Sequence, residues 1–335
     1  MSSEVKSLTR NPLYDAIKGF AILFVVVGHV YRVQNASLDI IIRALSWWTV
    51  PAFFIIQGYF MRSASFFKNK RQNIINKIQK AYVPFLLWAI VYGAFRLLAY
   101  NKPFNILDVF FGRTAEHLYF MPLYMLFAIT MPFLYYLNDK LRRAILWLMV
   151  ISNFALIGLI EAAHRMHFSI YGLGSLPFKW WGFIAIGMLA AEMPDVVTYF
   201  RKHLLLSYII GFSVLILSFV WLNLTGINSK GYILDNAAYI PMSLGIYLLV
   251  TLFFCTDKSW IRNAFVYLGH QTFSIYLPHV LLLRLLTMAF VAYNWSSYLV
   301  LRPIIIAGLI VASIALTEAI ARIIAIMEKL TTVNP

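Results

Sequence analysis

Runs of apolar residues recur along almost the whole chain, separated by short stretches that hold most of the charged positions. The runs fall near residues 13–31, 40–61, 81–100, 118–137, 144–163, 176–192, 204–222, 237–255, 270–290 and 298–321. Each is close to the roughly 17–25 residues that cross a hydrocarbon core of about 30 Å as a helix. None shows the sustained period-two alternation of a barrel strand, and a spanning backbone must satisfy its own hydrogen bonds. The pattern therefore predicts an all-α fold, a polytopic membrane helix bundle of about ten transmembrane helices. No Gly/Ser linker or low-complexity tract interrupts it, so residues 1–335 are expected to form a single integral membrane domain.

Composition agrees with a lipid environment. The 335 residues are 61% hydrophobic and 12% charged, against about 45–50% apolar and about 25% charged in soluble domains. A net charge of +15 could suggest nucleic acid, but the basic residues sit between the apolar runs, where orientation signals belong. No nucleic-acid partner is expected. Outside the runs, 17 Lys and Arg fall on one side of the predicted topology; Arg32, Lys102, Arg113, Arg165 and Lys230, with Lys179 at the edge of the sixth run, fall on the other. The positive-inside rule then makes both termini cytoplasmic, with Lys18 near the cytoplasmic face and His29 in the outer half of the first span. No small-residue cleavage site follows that run, so it is expected to remain as a span. Cys255, the one cysteine, allows no internal disulfide and no multi-cysteine metal site, and no metal is expected.

Ionisable residues within the runs are the candidates for chemistry. In YDAIKGFAILFVVVGHV, the step from Lys18 to His29 returns to within about 20° on a helix while rising roughly 16 Å, and Asp15 lies about 40° from His29. One face thus carries all three. They could simply snorkel to water at the two interfaces; alternatively, His29 faces the bundle interior as a general base, its ordinary pKa of about 6.5 being close to working pH. Arg96, Glu116, His117, His279 and Arg284 fall at a similar predicted depth and would form an outer-half polar cavity, although ion pairing or anchoring explains any one of them. The loop MRSASFFKNKRQNIINKIQKAYVPF holds Arg62, Lys68, Lys70, Arg71, Lys77 and Lys80 without an acid. Its apolar positions recur at helical spacing, which predicts a basic amphipathic helix lying on the membrane. Such a helix serves either lipid phosphates and topology or capture of a polyphosphorylated donor. Trp47, Trp48, Trp180, Trp181 and Trp295 lie near span ends and are expected in the interface belt, with sugar stacking as the alternative.

The string YDAIKGFAILFVVVGH, followed by VPAFFIIQGYFM, resembles the acyltransferase-3 family of integral membrane O-acyltransferases. The opening helix of that family carries an Asp, then an Arg or Lys, ten residues and a His. FFIIQGYF at 53–60, HLYFMP at 117–122 and LGHQTFSIYLPH at 268–279 look like further landmarks. The resemblance implies His29 as the catalytic residue, with Lys18 essential and Asp15, Glu116, His117 and His279 around them. It also implies donor contacts from Lys18, Gln57, Arg71, Lys77 and Lys80. Two departures stand out. Gln57 replaces a frequent Ser, and Lys77-Ile-Gln-Lys80 replaces an Arg-x-x-Arg pair, losing the planar fork.

Relatives of this kind O-acetylate envelope sugars. The resemblance thus implies acetyl-CoA as acyl donor, a cell-surface or lipid-linked glycan as acceptor and the bacterial cytoplasmic membrane as location, with membrane lipids as neighbours. No extra hydrolase-like domain is expected after the last run, so the membrane domain is expected to handle the acceptor itself. His29 would deprotonate the acceptor hydroxyl or carry the acyl group briefly; both routes use the same residues. Succinyl transfer is one alternative. A glycolipid or small-anion transporter is another, because buried charge in a ten-helix bundle also suits a translocation path.

Overall fold

The computed structural model describes residues 11–31, 37–61, 70–166, 177–225, 236–256, 259–292 and 300–332, and every regular element in them is helical. In chain order these are α1 (Pro12–Val30), α2 (Ser37–Ala44), α3 (Thr49–Tyr59), α4 (Lys70–Lys77), α5 (Val83–Tyr100), α6 (Ile106–Phe110), α7 (Phe120–Thr130) and α8 (Asp139–Arg165). The second half continues with α9 (Trp181–Glu192), α10 (Pro194–Lys202), α11 (Leu204–Leu224), α12 (Tyr239–Thr256), α13 (Trp260–His270), α14 (Thr272–Tyr276), α15 (His279–Ala292) and α16 (Arg302–Thr332).

Among the described residues, eight helical segments are long and apolar enough to cross a membrane. Two shorter apolar helices, Phe120–Tyr136 and Trp181–Glu192, occupy the positions of the fourth and sixth predicted spans. The second of these has protein around it, with Phe183, Ile184, Ala185 and Met188 fully buried. A short helix inside the bundle need not match the lipid thickness, because its ends meet protein instead of hydrocarbon.

Contacts between helix ends agree with alternate crossings. Arg142, at the start of α8, meets Glu192 at the end of α9. Glu161, near the end of α8, accepts from the backbone N–H of Ala237, just before α12. Asp15 of α1 meets His270, the last residue of α13 at the start of the ninth run, and Tyr31 at the other end of α1 lies under the Arg302 guanidinium that opens α16. Arg302 also makes a buried two-pronged pair with Asp39 of α2, at 2.6 and 3.1 Å. The start of α1, with Lys18, thus marks a basic end of the bundle, and His29, α2 and the start of α16 lie toward the far end.

Three apolar cores fill the bundle. One joins the far half of α1 to α5, α15 and α16; one joins α3, α7, α8 and α9; one joins the basic half of α1 to α3, α12 and α13. Cys255 is a free thiol packed on the third. Leu205, Leu217 and Leu224 of α11 are largely exposed, a face that in a membrane would meet lipid.

Two expectations change. The basic stretch 70–82 is no separate surface helix: α4 runs through a π-helical turn at Ile78–Tyr82 into α5, so one helical segment extends over Gln72–Tyr100. The apolar positions 74, 75, 78 and 82 are therefore the opening turns of the third span itself. Trp48 and Trp180 are buried, the first fully and the second to 1% exposure, which removes both from any interface belt. Trp295, Arg62 and Lys68 lie outside the described residues, as do the side chains of Lys70 and Arg71.

Candidate functional site

At the basic end, α1 begins with Asn11 as its cap, the side chain accepting from the Leu13 N–H at 3.0 Å ahead of Pro12 in the first turn. Asp15 follows, and its side chain is 4% exposed. Lys18 Nζ lies 2.6 Å from one oxygen and His270 Nε2 3.3 Å from the other. The α1–α13 packing sets this up. A Cβ on Gly19 would strike the Phe265 carbonyl, and one on Gly269 would strike the Asp15 carbonyl, so the two backbones approach at a distance that only glycine allows. Asp15 and His270 come together at that crossing.

Toward the far end of the same helix face, His29 meets two more histidines. Ring centroids lie 5.9 Å apart for His29 and His117, 5.2 Å for His29 and His279, and 5.0 Å for His117 and His279. Glu116 Oε1 lies 3.5 Å from His29 Nδ1. The rings do not converge as metal ligands: among the described residues no group of three or more His, Cys, Asp or Glu side chains is placed to hold an ion.

His279 sits where it does because of a break in its span. Pro278 has no N–H to donate to Ser274, and the Ser274 carbonyl accepts from Thr317 Oγ1 of α16 instead, at 3.0 Å. One position before Pro278, the Leu277 carbonyl would normally pair with the Leu281 N–H. The Tyr92 hydroxyl inserts between them, donating to the first at 2.9 Å and accepting from the second at 2.8 Å. His279 Nδ1 lies 3.1 and 2.8 Å from the Ile275 and Tyr276 carbonyls, and only a protonated Nδ1 can bond to either. Tyr276 in turn donates to the His117 carbonyl at 2.6 Å. His279 is fully buried and His117 is 5% exposed.

One cavity of about 1040 Å³ joins the two ends. Lys18, Lys77 and Lys80 line it at the basic end, and His29, Glu116 and His117 line it farther along. The volume reaches the upper end of the roughly 300–1,000 Å³ usual for ligand sites. Gln57 lines it as well, with its Nε2 donating to the Tyr124 carbonyl at 2.8 Å. Asp15 and His279 lie behind the lining, each touching a residue that belongs to it. Arg71 is on α4, but its side chain is outside the described residues. Arg96 is elsewhere, donating to the Arg113 carbonyl at 3.0 Å.

Several site neighbours were not singled out in the sequence. His270 stood in the LGHQTF segment without a stated role, and Asn73 and Asn76, now on the cavity wall, were part of the basic stretch. Tyr92 gave no signal, being an aromatic residue in an apolar run. Trp47 and Trp180 line the cavity, which keeps the stacking alternative for these two.

A family model described as an acyltransferase domain, that of acyltransferase-3, matches residues 11–321. No curated protein and no solved structure matches the chain.

Proposed function

Because the chain belongs to the acyltransferase-3 family, a family of membrane acyltransferases, we propose that it carries an acetyl group from cytoplasmic acetyl-CoA to a hydroxyl of a cell-surface or lipid-linked glycan, in the bacterial cytoplasmic membrane. The observation that supports this most directly is the continuous cavity running from Lys18, Lys77 and Lys80 to His29. Cations at the cytoplasmic end suit the phosphates of coenzyme A, and the histidine lies roughly 16 Å farther along α1, measured from Lys18. The thioester arm extends along the cavity to meet it.

In this reading Glu116 accepts from His29 Nδ1–H and leaves Nε2 free to act as base. Nε2 takes the proton of the acceptor hydroxyl as its oxygen attacks the thioester carbonyl carbon. The tetrahedral adduct collapses by breaking the C–S bond, and the departing thiolate receives that proton from His29. His117 and His279 are positioning residues that pack edge-to-face against the His29 ring. Asp15 holds Lys18 toward the cavity.

The test compares envelope glycans by mass spectrometry from cells with and without the gene, together with acetyl transfer by the purified chain. Loss of acetyl-sized mass increments on deletion, restored by the wild type but not by His29→Ala, is the expected result. Unchanged glycans, with no thioester consumption by purified protein, would refute the proposal. A succinyl-sized increment would keep the reaction and correct the donor.

A further inference from the structure

Beside the large cavity lies a second one of about 480 Å³, and His29 and Glu116 are the two residues that line both. The second cavity is built mostly on α15, with Leu283, Met288 and Val291 as its apolar wall and Arg284 among them. Its wall reaches the outer surface of the bundle, Met288 being 44% and Val291 69% exposed. Thr287 offers nothing to a ligand as a donor, since its hydroxyl is committed to the Leu283 carbonyl at 2.8 Å.

Arg284 is the unusual feature. It is half-buried within a span and, among the described residues, has no carboxylate within ion-pair distance and no hydrogen bond. Glu116 lines the same cavity and faces His29, its Oε1 3.5 Å from Nδ1. A guanidinium at membrane depth is costly unless it faces a counter-charge or a water-filled path. Its planar fork fits phosphate oxygens. Next to that fork is a wall suited to hydrocarbon, and at the inner edge are the two residues that reach the donor cavity.

We propose that this cavity receives the acceptor from the bilayer, as a lipid-linked sugar whose phosphate ester pairs with Arg284. The lipid chain lies on the Leu283, Met288 and Val291 face, and the sugar hydroxyl reaches His29. This rests on the reading of His29 as the transfer centre, and it narrows the acceptor to a phospholipid-type anchor. A carboxylate-bearing sugar would also satisfy Arg284, but it would leave the exposed apolar wall unused.

The test is binding by the full-length purified chain, independent of turnover. Farnesyl phosphate, farnesol and glucuronate serve as probes against wild type, Arg284→Gln, Arg284→Lys and Val291→Trp. Farnesyl phosphate is expected to bind saturably, farnesol more weakly, and Arg284→Gln to lower the farnesyl phosphate affinity by about tenfold or more. Arg284→Lys should lose less, and Val291→Trp should weaken binding by filling the wall while leaving the charge. Equal farnesyl phosphate binding by wild type and Arg284→Gln, with both proteins monodisperse, would overturn the proposal, as would Arg284-dependent binding of glucuronate alone. If His29→Ala still transfers acetyl groups, the transfer centre is misassigned, and the ligand of the second cavity is still measured.

Discussion

Asp15 is a buried acid that Lys18 and His270 both face. Removing its charge leaves a half-buried ammonium without a counter-ion, so Asp15→Asn should cost on the order of 1–3 kcal/mol, read as a lower unfolding temperature in detergent. His29→Ala should behave in the opposite way. Loss of an ionisable group from an apolar helix does not oppose insertion, so expression and melting should hold while acetyl transfer falls by about 10²–10⁴. A well-folded His29→Ala protein with near-normal activity would leave this histidine as a packing residue. Helical periodicity made Asp15, Lys18 and His29 legible as one face, because three charges and a fixed rise need no other chain segment. His270 was not legible in the same way: its partner is 255 residues away, and single-helix geometry does not reach that far.

The ninth span appears in the sequence as one apolar run, yet it consists of α14 and α15 joined at Leu277 and Pro278. The proline made a break foreseeable, but the compensation comes from two other helices, through Tyr92 and Thr317. Tyr92→Phe removes one hydroxyl that serves both a carbonyl and an N–H in a fully buried setting. It should destabilise by about 1–3 kcal/mol, and activity should fall as His279 and the ring of His29 lose their fixed positions. An unchanged melting temperature would mean that the break closes into regular helix without it. The third span shows the opposite error. Its basic preamble looked like a surface helix because charge and amphipathic spacing fit one, whereas the chain continues helically through the π turn and brings Lys77 and Lys80 to the cavity. Replacing both by Gln should raise KM for acetyl-CoA more than it lowers kcat, since ground-state contacts are the ones removed. Unchanged KM together with reduced expression would assign them to topology alone.

For the whole molecule, the count and order of apolar segments were readable because hydrocarbon thickness sets span length and leaves little freedom. How the helices meet was not readable. The α1–α13 contact turns on Gly19 and Gly269, and glycines in a single sequence do not identify which partner comes close. Gly19→Leu should separate those helices and abolish both folding yield and acetyl transfer; full yield would show that the crossing adapts. Orientation is testable independently of chemistry: reporters fused after Arg143 should read as cytoplasmic, and those after Lys102 as external, given the bias in basic residues. The reverse readout would exchange the faces assigned to the two ends of the cavity.

The meeting of Asp15 with His270 also bears on how the protein is made. During synthesis α1 leaves the ribosome long before α13 exists, so its acid must enter the bilayer without His270 to face it. Lys18, three residues away on the same helix, is present from the outset and neutralises it at 2.6 Å. The nascent first helix therefore travels as a self-paired unit, which lowers the penalty of carrying charge into lipid. The arrangement is finished only when the ninth hydrophobic segment arrives and docks, so a ribosome stalled after residue 256 should yield an inserted chain that has no assembled transfer centre.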